Sequence, residues 1–126
     1  MDVKRWVIVV LLVSATGAVW AHEEHATGPG GEQTLTGEVV DVFCYLSHDK
    51  EGLGKSHAGC AKKCIEGGLP VAIKVGDQLY LASMADHTSA NAPLAKFAGE
   101  QVTVHGKVME RDGQHLIAIS EVELVR

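Results

Sequence analysis

A chain of 126 residues with a formal net charge of −5 has room for one domain with a modest core, and it is too acidic to neutralise a nucleic-acid backbone. The same charge excludes adhesion to an anionic lipid surface. Aromatic residues make up only 5% of the chain, too few to serve both a core and a base-stacking platform.

Residues 1–21 carry the pattern of a secretory signal peptide. Lys4 and Arg5 precede an unbroken apolar run from Trp6 to Val13, and Val19-Trp20-Ala21 offers a small-residue cleavage point. An uncleaved N-terminal anchor is the alternative. It would need about 20 mostly apolar residues, and Ser14, Thr16 and Gly17 interrupt the stretch. Cleavage before His22 is therefore expected, in a periplasmic or secreted protein, with membrane contact only through this segment if it is not processed. Outside the cytoplasm thiols tend to oxidise in pairs. The chain has three cysteines, so at least one is free, metal-bound or joined to another chain.

Residues 22–33 (HEEHATGPGGEQ) read as a flexible polar leader. A barrel domain is predicted over 34–126. Leu35 to Leu46, rich in Val, Phe and Tyr, reads as a long first strand with a bulge near Gly37. A charged loop over 47–55 leads to a helix over 57–66, capped by Ser56 and stopped by Gly67 and Gly68. Val71, Ile73 and Val75 alternate with Ala72 and Lys74 as a half-buried strand, and Gly76-Asp77 turns it into Leu79–Leu81. A loop over 83–92 and a short helix from Pro93 to Ala98 follow. Val102 to Val108 forms the next strand, and Asp112-Gly113 makes a hairpin into the last, His115 to Val125.

Five strands with a helix between the third and fourth is the order of an OB-fold. The predicted class is all-β with short helices, a five-stranded OB-fold-like Greek-key barrel with a Cys/His helical insertion between strands 1 and 2. The tail LAKFAGEQVTVHGKVMERDGQHLIAISEVELV, over 94–125, resembles the second half of small exported bacterial OB-fold proteins, in which a Gly precedes a VTVHGKV-type strand and an acidic strand closes the barrel. The resemblance implies a fold and no activity.

The chemistry is concentrated between positions 44 and 64. His57, Cys60 and Cys64 are spaced His-x2-Cys-x3-Cys, which places them on one helical face. With Cys44 they supply three sulfurs and a nitrogen, the donor set of a closed tetrahedral site for one copper or zinc ion. Lys62, Lys63 and the helix N-terminus would favour the thiolate of Cys60. The spacing Cys60-x3-Cys64 is similar to the copper-binding spacing of the SCO family of periplasmic copper-delivery proteins; those have a thioredoxin-like fold and a Cys-Pro step where this chain has a barrel and Cys64-Ile65, so the likeness is a chemical analogy over five residues. A site with four protein donors has no open position for catalysis. A carrier or assembly accessory, with a metal-receiving or metal-donating partner protein, is therefore predicted ahead of an enzyme. Two alternatives stay open: a structural disulfide from Cys44 to Cys60 or Cys64, and a thiol-disulfide redox pair at Cys60 and Cys64.

Further donors are conceivable at His48, at His22 and His25 in the leader, and at Met84 and His87, although a solvated leader, an exposed loop histidine and a packing methionine are the more common readings. His105 and His115 lie on strands and carry no predicted role. Asp41 stands at the opposite strand parity to Cys44, which predicts that it points away from the cluster. Haem attachment is excluded because Ile65, not His, follows Cys64.

Overall fold

One long strand sets the curvature of the molecule. The computed structural model describes residues 31–48 and 52–126. In it, β1 (Glu32–Asp41) pairs antiparallel with β4 (Gln101–Arg111) through Glu38, and from Glu38 onward with β2 (Val71–Val75). The change of partner brings backbones together at Gly37, where a Cβ would run into the Lys74 carbonyl. β2 pairs with β3 (Gln78–Met84), which runs parallel to β5 (Gln114–Leu124), and β5 returns to β4. The result is a closed barrel in the order β1-β2-β3-β5-β4, the predicted all-β class with an insertion after the first strand. Closure leaves no open sheet edge.

The core is built by alternation. Val39, Ile73, Val102, Val104, Ile117 and Ile119 are fully buried, while their neighbours in sequence along β4 face outward. Each such side chain contributes roughly 1.5–3 kcal/mol of burial. Asp112 and Gly113 both adopt positive φ in the β4–β5 turn, as the predicted hairpin requires. The register shift in the sheet lies between His105 and Gly106, where β4 meets β5, and not at Gly37 as predicted.

The first strand stops earlier than its sequence suggests. Asp41 is still extended (ψ 131°), and its Oδ1 accepts the Cys44 backbone N–H at 2.8 Å, which turns Val42–Ser47 into a helix, α1. The aromatic and β-branched residues of VFCYL therefore yield their strand propensity to a cap and a tertiary tie, the Val42 N–H to the Pro70 carbonyl at 2.9 Å. Phe43 and Leu46, on the outer side of α1, are exposed.

The second helix, α2, spans Ala58–Glu66. His57 and not Ser56 occupies its N-cap, without a side-chain cap bond. Its C-terminus closes as the sequence predicts. Leu69 N–H bonds to the Cys64 carbonyl and Gly68 N–H to that of Ile65, both at 3.0 Å. Gly68 sits at φ +95°, the left-handed residue that this ending needs. Asn91 adds two bonds of 2.7 Å from Nδ2 to the Ile65 and Leu69 carbonyls. Ala61 and Ile65 face the core.

The last helix, α3, spans Asn91–Ala95, starting before the predicted Pro93, and β3 extends to Met84. β1 begins at Glu32, inside the predicted leader. The predicted signal peptide or anchor and the rest of the leader, with His22 and His25, lie outside the described residues. Among the described residues no helix is long and apolar enough to cross a membrane.

Candidate metal centre

The insertion folds back so that the β1–α1 junction meets α2. Two groups of donor atoms result, each with its members within 4.8 Å of one another: Cys44, His57 and Cys60, and Asp41, Cys44 and Cys64. All four ligands chosen from the sequence are present, distributed over two trios that share Cys44. Asp41 is the residue that the sequence reading left out. Strand parity excluded it, but the chain leaves the strand at Asp41, so parity no longer applies. The overlooked signal was an Asp three residues before Cys44, the arrangement of an N-cap.

Asp41 is fully buried, and it is the buried charged side chain among the described residues. Its Oδ1 is used by the Cys44 N–H. Its Oδ2 lies 3.5 Å from His57 Nε2. Among the described residues neither of these two buried atoms has a hydrogen-bond partner. A buried carboxylate oxygen without a partner is costly, and a cation is one of the few groups that offsets it.

The thiols respond to the same surroundings. Cys44 is pushed up from 9.0 to about 12, first by burial, then by the negative charge of Asp41, and further by hydrogen bonding with Asp41, Cys60 and Cys64. Cys64 is also pushed up, by burial and then by Asp41. A bound cation would reverse the charge around both. Exposure is graded across the cluster: Cys44 is buried, Cys64 half-buried and Cys60 exposed. All three are free thiols, with no bond joining any pair.

Lys62, two residues after Cys60, pairs with Glu66 at 2.8 Å. His48 is exposed and belongs to neither trio; its backbone N–H closes α1 on the Cys44 carbonyl at 2.9 Å. Met84 packs against the barrel core, and His87 occupies an exposed turn at φ 68°. His105 Nδ1 pairs with Thr34 Oγ1 at 2.8 Å, and the His115 ring packs tilted, at 58°, against Tyr80 with centroids 5.5 Å apart.

No protein-family model, no curated protein and no solved structure matches the chain. The donor geometry must therefore carry the functional reading.

Proposed function

We propose that this protein binds one soft metal ion, copper or zinc, through Cys44, His57, Cys60 and Cys64, and serves as an exported carrier or assembly accessory. One observation carries the reading: the fully buried Asp41 presents an unpartnered Oδ2 beside two thiols, Cys44 and Cys64, and the His57 imidazole. His57 Nε2 lies 3.5 Å from that oxygen with no hydrogen bond between them, so the imidazole can serve as a donor to an ion that the carboxylate beside it favours. Thiolate and imidazole donors suit zinc and copper over harder cations. The signal-like segment 1–21 supports export, and the likeness over 94–125 to small exported OB-fold proteins supports the same compartment.

The test is elemental analysis of anaerobically purified protein, followed by a thiol count after denaturation without reductant. About one ion per chain is expected, because both donor trios share Cys44. Metal-free protein with a single free thiol per chain would replace this reading with a disulfide, structural or redox.

A further inference from the structure

The cluster offers two overlapping positions for an ion, and they differ in access. Metal–sulfur bonds of about 2.3 Å hold tetrahedral sulfurs about 3.8 Å apart. Donor atoms within 4.8 Å can close on an ion with shifts of about 1 Å, and each trio satisfies that separately. The deep trio consists of Asp41, at 0% exposure, Cys44, at 5%, and the half-buried Cys64. The outer trio shares Cys44 and adds His57 and the exposed Cys60. Asp41 and His57 join the two across 3.5 Å.

We propose that the ion does not engage all its donors at once: it rests in the deep trio, passes to the outer trio by pivoting on Cys44, and leaves by ligand exchange at Cys60 to a thiol of a partner protein. In the pivot, His57 and Cys60 Sγ bind the ion as Asp41 and Cys64 Sγ leave it, and the proton given up by Cys60 goes to Cys64. This rests on the metal reading above and adds its route of transfer. Cys60 is the most exposed residue of the three cysteines, so an incoming donor meets it first. In the exchange, the partner's sulfur forms a bond to the ion as the Cys60 Sγ–ion bond breaks, and the proton given up by the incoming thiol goes to Cys60. A second incoming thiol displaces Cys44 in the same way, and Cys44 takes the second proton. His57 is released as neutral imidazole. No electrons change hands, so the ion keeps its oxidation state.

The experiment uses the full chain, loaded with Zn²⁺ and mixed with increasing concentrations of a small dithiol chelator, with transfer followed by stopped flow. Wild type, Cys60→Ser and Cys64→Ser are compared, with circular dichroism confirming that each is folded. In wild type the transfer rate should rise with chelator concentration. Cys60→Ser should still hold one ion, and its chelator-dependent rate should drop by at least about tenfold, a loss on the scale seen when groups supporting a metal site are removed. Cys64→Ser should bind more weakly and release no more slowly than wild type. Equal changes in rate and affinity for the two variants would overturn the two-position route and leave one undivided site. Loss of the ion from Cys60→Ser would also overturn it. If wild type itself takes up no zinc or copper, the metal reading fails, which is a different result from either.

Discussion

The barrel and its insertion are held together by opposite means. The barrel buries Val39, Ile73, Val104, Ile117 and Ile119 against one another and closes its sheet with tight turns. Nothing in that core needs an ion. The insertion consists of helices of six and nine residues, too short to persist alone. It depends on ties at its ends: the Val42–Pro70 backbone bond, the Gly54 N–H donated to Glu38 Oε1, and the Asn91 amide on the end of α2. Between those ties it buries Ala61 and Ile65 against the barrel, and beside them a carboxylate and a thiol. The chain thus keeps its stability in one region and its uncompensated polar groups in the other. A cation should matter to the second and hardly to the first.

The largest expected effect tests the barrel. Ile73→Ala or Ile117→Ala should cost about 2–5 kcal/mol in denaturant unfolding, the range for truncating a large buried aliphatic side chain. Metal content per folded chain should not change. Cys44→Ser should do the reverse, abolishing metal binding while altering the metal-free protein's stability far less than Ile73→Ala does. If, in chelator, Cys44→Ser costs as much as the barrel variants, the two regions are not separable in the way their packing suggests.

Asp41→Asn sharpens the insertion side. The amide oxygen can still accept the Cys44 N–H, so the cap on α1 survives, while the charge that favours a cation is removed. Metal affinity should fall by about 10–100-fold, the usual cost of losing a supporting carboxylate. Isothermal titration with zinc reads this directly. Because Asp41 is a lesser cause than burial of the raised Cys44 pKa, the thiol should titrate lower in this variant yet stay above 9.0.

The sign of the pH dependence follows from the same group. Folding raises the Cys44 pKa from 9.0 to about 12, so the folded state favours the protonated thiol. That contribution is intact below pH 9.0 and is lost as pH rises towards about 12; Cys64, shifted the same way, adds to it. Metal-free protein should therefore lose stability across this alkaline window. Metal binding runs the other way. It expels thiol protons, so apparent affinity should rise about tenfold per pH unit for each proton released, until the thiols are ionised. Zinc titrations at several pH values, set beside unfolding curves in chelator, should show the two opposed slopes.

Local signals made much of this legible in sequence. Asp112-Gly113 and Gly67-Gly68 each specify a backbone ending that few other residues allow, and both did so where expected. Alternation over Val102–Val108 marked a strand because one face is buried, whereas Val71–Val75, predicted half-buried, buries Ala72 as well as Val71 and Ile73. The error at Val42–Ser47 has a physical cause. Five residues of strand-like composition were outweighed by one capping carboxylate and by a contact with Pro70, 28 positions away by the bond that joins them. The site followed the same division. Cys44, His57, Cys60 and Cys64 were visible from their chemistry and helical spacing, whereas Asp41 became visible only when the chain was seen to turn there. Splitting the donors into a deep and an outer trio depends on side-chain burial, which spacing along the chain does not contain.

The smallest expected effect concerns Lys62, whose sequence position suggested a role beside Cys60. Its Nζ instead lies 2.8 Å from Glu66 Oε1, with both side chains about half exposed. Exposed pairs one helical turn apart are worth about 0.2–0.5 kcal/mol, and a lysine preceding its glutamate is the less favourable order. Glu66 also sits in the last turn of α2, where the helix dipole disfavours an acid. Lys62→Ala should therefore change stability by no more than about 0.5 kcal/mol, with a difference from wild type that vanishes in high salt, and it should leave zinc affinity unchanged. A clear fall in zinc affinity, surviving in high salt, would mean that Lys62 tunes the sulfur cluster after all. The insertion's charged surface would then belong to the metal centre and not merely to the solvent-facing side of a short helix.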